Sequence, residues 1–460
     1  MSIITPIVGG EAIVSLGALG RGHHTARVRS RKGAFAGPAA EADGYLPEFV
    51  PPNATLHFDF EQWLGYREPA GLGRGGVIST PDAMLAVARL SPRTVQNAAG
   101  GIDLLGSSII ARNYSAAGLA RGVPIEPLSI NWLLRSGDLG HAVWSKGGVS
   151  VPAGPVAPDG VQAWGRITEN SAGGQHYIGQ YIGAVAVGDV LTTTVDVRAT
   201  GIGAARHVFV TAYGEGYAVF NPASGAVVSA AGVTASVEPR GGGAYRVRCT
   251  VTKTNTNGTV FIGLWNPAGN NVYVGDGVSC VDAWGAQAEK RSTPTSYMPT
   301  VDTTAARYAD DISTPFASWG TQGQGGLYVE LVPNITGTDQ TFARLDDGTS
   351  NNTIYIGMNG AGAIFGVVVA GGVSQAVLSL GTYAGGVLKA ALAWAGNDFA
   401  ARRNGGSLVT DASGSVPSGL TTLRIGSSIG VGYQSGHTQR VTVYPARLIM
   451  TNTKIGELVA

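Results

Sequence analysis

Residues 191–200, LTTTVDVRAT, and 245–252, YRVRCTVT, alternate wet and dry side chains with a period of two. In the first, Leu191, Thr193, Val195 and Val197 share one face against Thr192, Thr194, Asp196 and Arg198. In the second, Tyr245, Val247, Cys249 and Val251 oppose Arg246, Arg248, Thr250 and Thr252. Strands that are half wet belong to antiparallel sheets with one face in a core. Turn signals separate them: NPASG at 221–225, PRGGG at 239–243 and NTNG at 255–258. Glycine, at 70 of 460 residues, is about twice as frequent as the ~7% average and argues against long helices. With 44% hydrophobic and 13% charged residues, the chain is also too apolar for intrinsic disorder. The fold class predicted is all-β: tandem antiparallel β-sandwiches of the jelly-roll type behind an extended N-terminal arm.

A length of 460 residues implies two to four domains. A formal net charge of +1 gives no field to gather nucleic acid or an anionic membrane, so neither is expected as a partner. Cys249 and Cys280 are too few for a disulfide framework; both sit in strand-like runs, either as buried thiols or as one bridge. The stretch MSIITPIVGGEAIVSLGALG lacks a basic start and is broken by Pro6, Gly9, Gly10 and Glu11, a poor signal peptide. No apolar run approaches the ~18 residues of a membrane helix, so membrane insertion is not expected.

Residues 1–52, rich in Gly, Ala and Pro with a basic cluster RGHHTARVRSRK at 21–32, are expected to form an attachment arm. Residues 53–135 make a small β-rich lead-in, where TLHFDFEQW alternates like a strand. TPDAMLAVARLS reads as a short helix with Thr80 as N-cap and Pro81 at its first position. A first sandwich spans 136–300, a linker 301–315 and a second sandwich 316–460, whose Asn404-Gly405 supplies a two-residue hairpin turn.

Two segments carry a resemblance. NWLLRSGDLGHAVWSK at 131–146 and WGAQAEKRSTPTSYMPT at 284–300 resemble the opening and closing signatures of a carbohydrate-binding-module-like jelly roll found in bacteriophage fibre and head-spike proteins. Ala88, Arg89, Leu90 and Ser91 loosely match the short β-segments that precede it. LKAALAWAGNDFAARRNGG at 388–406, LRIGSS at 423–428 and RVTVYPARLIMTNTKIGELVA at 440–460 resemble a laminin-G or concanavalin-like sandwich at fibre ends. That family closes with a turn matched here by Tyr444, Pro445, Ala446, Arg447 and Leu448, followed by a helix near Asn452–Val459. The resemblance covers roughly 130–460 and implies a virion-surface subunit that binds bacterial surface or capsular polysaccharide. It also implies a homo-oligomer held to other virion proteins through residues 1–52, assembled in the bacterial cytoplasm and released by lysis. Head attachment is favoured over tail; the glycan and host stay open. The alternative is a decoration or spacer protein without glycan binding, and behind it a capsule-degrading depolymerase.

Little in the chain speaks for catalysis, and the chain is expected not to be an enzyme. GLGRGG at 71–76 lacks the strand and helix a dinucleotide site needs, and GSSIG at 426–430 lacks the helix of a nucleophile elbow, which leaves Ser428 as a turn residue. The carboxylates Glu215, Glu238, Glu289 and Glu330 are not paired by spacing for glycosidase work. The seven histidines are scattered and no metal motif is present, so no cofactor is expected. Related sandwiches often hold a structural Ca²⁺ ion, whose ligands the sequence does not place. The positive case rests on aromatic rings, because sugars stack their C–H faces on rings and offer hydroxyls to polar neighbours. In 259–277, Val260, Ile262 and Leu264 are read as inward and Phe261 and Trp265 as outward, with Tyr273 alternating with Val272 and Val274 in the same sense. Tyr213 and Tyr217 flank Glu215 in a Gly-rich turn. Tyr213, Glu215, Tyr217, Trp265 and Tyr273 are therefore the candidate carbohydrate-binding residues. Trp144, Trp284, Trp394 and Phe399 are assigned to the interior.

Overall fold

The computed structural model describes residues 56–67, 77–316, 323–447 and 450–460, together with short strands within 23–45. Of the segment expected as an arm, His23–Val28 pairs antiparallel with Ala40–Tyr45, and Arg31–Lys32 with Phe35–Ala36. The remainder of 1–52 and the GLGRGG loop lie outside the described residues.

The alternating strands build two seven-stranded antiparallel sheets that face each other over one core. The front sheet runs, in order, Ser145–Gly147, Gly173–Ala184, Asn257–Trp265, His207–Ala212, Tyr217–Phe220 and Val227–Ala231. Val272–Val274 adds to the second of these strands. The back sheet runs Val149–Ser150, Ala163–Glu169, Cys280–Glu289, Val190–Ala199, Tyr245–Thr252 and Thr234–Pro239, with Ala153–Val156 adding to the second of these strands. Ile178, Val208, Val210, Ile262 and Leu264 from the front meet Ile167, Val195, Val197, Val247 and Val281 from the back. Each such buried branched side chain contributes about 1.5–3 kcal/mol. Trp144 lies in this interior, and Cys249 and Cys280 are both free and buried. Burial pushes the Cys249 thiol up to about 12.

A second pair of sheets forms around Leu327, Val329, Phe342, Leu345, Leu392, Trp394 and Phe399. One has seven strands: Val373–Thr382, Ala363–Ala370, Thr353–Met358, Gln340–Asp346, Thr422–Ile425, Ile312–Pro315 and Ala86–Val87. The other, of ten, centres on Leu388–Ala395, Gln324–Pro333 and Gly436–Tyr444. Its outer face is closed by the C-terminal helix Asn452–Leu458, whose Ile455, with Met450 and Val459, packs on Tyr328, Ala391, Ala393 and Tyr444. Thr451 caps that helix by accepting from the Lys454 amide at 3.1 Å. The Asn404-Gly405 turn takes positive φ at both residues, 36° and 66°.

Residues 53–135, read as a lead-in, supply strands to this second pair of sheets. Leu56–Asp59 pairs with Gly436–Tyr444 and continues through Leu64–Arg67 to Val77–Ser79. Ala120–Ile125 also pairs with Gly436–Tyr444, and Ala86–Val87 with Ile312–Pro315. Leu56, Phe58, Val123 and Ile125 are buried in the shared core, which is the physical reason these strands dock. The expected helix reduces to one turn, Pro81–Met84, with Thr80 and Pro81 in the predicted places. The stretch 301–315, read as a linker, contains two paired strands. Ala305–Arg307 runs antiparallel to Ser129–Asn131, so the chain leaves for the first sandwich and returns along one two-stranded ribbon.

The base of that ribbon is a buried charge cluster. Asp310 accepts from Arg89 at 2.7 Å, Arg93 at 3.1 Å and Arg307 at 3.3 Å. Glu126 pairs with Arg93 at 2.9 Å and Arg307 at 2.6 Å, and its amide donates to Asp310 at 3.0 Å. Burial opposes charge on Glu126, but Arg307 and Arg93 hold its carboxyl down at about 2.

The two signature segments close on one another. Asn131 is buried and saturated: its amide donates to the carbonyls of Met298 at 2.9 Å and Ala286 at 3.3 Å, and its oxygen accepts from the Leu133 and Ala288 amides. Ser136 and Tyr297 share a 2.8 Å hydrogen bond, and Thr300 donates to the Leu133 carbonyl at 2.7 Å. Trp284 is buried but on the outside of the back sheet, against Trp164 and Tyr297. Gly285, at φ 64°, breaks the alternation there, so that Ala283 and Ala286 both face the core.

Candidate functional site

The front sheet has an outer face that follows from the same alternation. With Ile178 and Ile182, Val208 and Val210, Ala218 and Phe220, and Val260, Ile262 and Leu264 in the core, the intervening residues point away from it. They are Tyr177, Gly179 and Tyr181; His207, Phe209 and Thr211; Tyr217 and Val219; and Thr259, Phe261, Gly263 and Trp265.

Rings and glycines on this face form a checkerboard. Register places Tyr177 between Gly147 and Gly263, Phe209 opposite Gly263, and Phe261 opposite Gly179. A Cβ on Gly147 would stand 2.5 Å from the Tyr177 ring, on Gly179 2.7 Å from Phe261, and on Gly263 2.5 Å from Phe209. The glycines are thus the seats on which the rings rest, a use of glycine for close approach rather than for a turn. Tyr177 meets Phe261 edge to face at 5.2 Å, Phe209 meets Trp265 at 6.3 Å, and Trp265 stacks on Tyr217 at 5.1 Å and 30°. Tyr181 is 61% exposed and Tyr213, at the adjoining turn, 53%.

The phenol groups separate two populations of tyrosine. Those of Tyr273, Tyr297, Tyr328 and Tyr383 are hydrogen-bonded to Glu169, Ser136, Glu330 and the Gly386 carbonyl. Those of Tyr177, Tyr181, Tyr213 and Tyr217 have no partner among the described residues.

Of the five candidates named from sequence, Tyr217 and Trp265 share the aromatic face and Tyr213 borders it. Glu215 and Tyr273 do not join them. Glu215 sits in a buried ion pair with Lys253 at 3.0 Å and accepts from the Thr254 amide and the Asn255 side chain. Burial acts to raise its carboxyl, but the Thr254 amide and Lys253 ammonium hold it below the usual range. Tyr273 is 9% exposed and donates to Glu169 at 2.7 Å, with the Arg206 guanidinium over its ring. Its alternation is the reverse of the one read from sequence, since Val272 and Val274 face water. The reason is that the Tyr273 hydroxyl reaches inward to the buried Glu169 carboxylate, which also accepts two bonds from Arg206 at 2.8 Å. Tyr177, Tyr181 and Phe209 were missed; the signal was present in HYIGQYIG, where Tyr177, Gly179 and Tyr181 alternate with Ile178, Gln180 and Ile182.

The other carboxylates weighed from sequence are engaged internally: Glu238 with Arg121 and Arg240, Glu289 with Ser129 and Thr295, Glu330 with Tyr328 and Arg440. Ser428 lies in a short bridge with Val431 and accepts from Arg344 at 2.9 Å. His437 is on the Gly436–Tyr444 strand, bonded to Asn113 at 2.9 Å. Among the described residues no group of three His, Cys, Asp or Glu is placed to hold a metal ion, and no helix is long and apolar enough to cross a membrane.

The fold and this face define an all-β protein of antiparallel sandwiches that presents a ring-lined sheet to solvent. Neither the protein-family models nor the curated proteins gave a match. Among solved structures, the chain is similar to the CBM40 domain of the Ruminococcus gnavus IT-sialidase, at 14% identity and a TM-score of 0.28, over 32% of this chain and 93% of that one. It is also similar to mouse laminin α1 domains LG4-5, at 11% identity and 0.20, over 60% and 88%. A third is a tail fibre protein of an E. coli phage, at 11% identity and 0.19, over 70% and 41%. Likeness at this level concerns the fold alone.

Proposed function

We propose that this chain is a carbohydrate-binding protein whose glycan lies on the outer face of the front sheet. The observation that carries the reading is the set of rings seated over Gly147, Gly179 and Gly263, bordered by tyrosine hydroxyls without partners in the described chain. Phe209 is buried at 4% exposure and serves as support for Trp265. The half-buried rings of Tyr177, Tyr217, Phe261 and Trp265 offer apolar faces to sugar C–H groups at little entropic cost, and free hydroxyls are ready to exchange water for sugar hydroxyls. Binding of this kind is weak per site and gains from several copies acting together. The phage-fibre resemblance of residues 131–146 and 284–300 extends the reading to a virion fibre or spike subunit that adheres to a bacterial surface polysaccharide. Affinity electrophoresis through gels containing bacterial surface polysaccharide tests the core of this. Wild type is retarded, and Trp265→Ala and Tyr177→Ala migrate as in blank gels. A wild type that no such polysaccharide slows leaves the spacer reading in its place.

A further inference from the structure

The two outer faces of the first sandwich differ in charge. The back sheet carries Arg166, Asp196, Arg198, Glu238, Arg246 and Asp282 outward in ion pairs such as Arg166–Asp282 at 2.9 Å and Arg198–Asp282 at 3.0 Å, and Arg248 bonded to Thr250 and the Ser292 carbonyl. On the front sheet the outward positions are Ser145, Gly147, Tyr177, Gly179, Tyr181, His207, Phe209, Thr211, Tyr217, Val219, Ser229, Ala231, Thr259, Phe261, Gly263 and Trp265, without one Lys, Arg, Asp or Glu. Burial lowers the pKa of His207 and so favours the neutral ring.

Charges at the margin are already committed. Lys253 is paired with Glu215 and Arg206 with Glu169. The Lys146 ammonium donates to the carbonyls of His141 and Trp144 at 3.1 and 3.2 Å. Lys146 keeps its charge without a carboxylate partner, but it stands opposite Ile178 on the edge strand and its ammonium turns back to the 141–144 turn. An acidic sugar brought onto the rings would lose water from its carboxylate and find no cation among the outward positions, a cost that uncharged hydroxyls do not incur.

We infer that the ligand of this face is a neutral glycan, made of hexose or deoxyhexose units without carboxylate, sulfate or phosphate. This rests on the carbohydrate-binding reading and narrows it to a substrate class. The full chain is tested by isothermal calorimetry against a neutral set (mannan, dextran, galactan and a neutral bacterial O-polysaccharide) and an acidic set (alginate, hyaluronan, polysialic acid and an acidic capsule). The expected result is binding within the neutral set, changed less than about twofold between 50 and 500 mM NaCl. Trp265→Ala weakens that binding by about tenfold or more. Binding of an acidic polymer that is lost in Trp265→Ala, or that weakens steeply with salt, overturns the neutral class while the carbohydrate reading stands. No binding to either set overturns both. Sedimentation velocity adds an independent arm: a wild-type oligomer that dissociates in Trp265→Ala shows the face to be covered by a second copy, which also refutes the inference.

Discussion

Asp310→Asn isolates what the charge cluster at the base of the ribbon contributes. Asp310 accepts from Arg89, Arg93, Arg307 and the Glu126 amide, and the three guanidiniums and Asp310 are each at most 1% exposed. Asparagine keeps the shape and one acceptor but removes the charge, leaving Arg93 and Arg307 on Glu126 and Arg89 with backbone carbonyls alone. A single charge pair ~4 Å apart is worth about 4 kcal/mol at an effective dielectric of 20. Removing one partner of a buried ion pair typically costs about 3–5 kcal/mol. The expectation is therefore a loss of about 4 kcal/mol, seen in urea unfolding as a midpoint lowered by ~1–2 M. Because the cluster is dry, 0.5 M NaCl does not change the difference between variant and wild type. Arg89→Met combined with Asp310→Asn costs at least ~1 kcal/mol less than the sum of the single changes, since the residues touch. A midpoint within ~0.3 M of wild type, or one restored by salt, would falsify the claim that this cluster is water-free and structural.

Three further outcomes are expected. Asn131→Ala strands the Leu133 and Ala288 amides and the Met298 and Ala286 carbonyls in the interior, and costs about 2–4 kcal/mol by calorimetry; a loss below ~1 kcal/mol contradicts the clasp. Gly179→Val places a β-carbon where the Phe261 ring lies, touching only side chains, so polysaccharide retardation is lost while the circular dichroism spectrum is kept. Burial holds His57 and His437 at about 4, below the 6.5 of the unfolded chain. The unfolded state therefore binds protons first as pH falls, and stability present above pH 6.5 is lost progressively down to about pH 4, by ~3 kcal/mol per ring. His437→Gln should flatten that slope in unfolding measured from pH 7 to 4; an unchanged slope removes His437 from the account.

The strand content, the outward turn of Phe261 and Trp265 and the turn at Asn404-Gly405 were legible in the chain, because period-two alternation and local turn chemistry act over a few residues; the C-terminal helix was expected only through the resemblance, and its Thr451 cap was not read. Residues 131–146 and 284–300 stood out as a pair in the chain, and the fold shows that they touch: Asn131, Ser136 and Thr300 bind across the seam they form. Where alternation fails, local rules fail with it. Trp284 lies on the far side of the back sheet because a bulge at Gly285 shifts the register, and Val272 faces water because Tyr273 answers a distant carboxylate. The pairing of Leu56–Asp59 with a strand nearly 400 residues later is decided by buried surface and open sheet edges, neither of which a local window contains. The sequence by itself determined which side of each strand is dry. Tertiary structure decided which wet sides are covered, which are locked in ion pairs, and which is left as an uncharged bed of rings, since those outcomes depend on what other parts of the chain bring to each face.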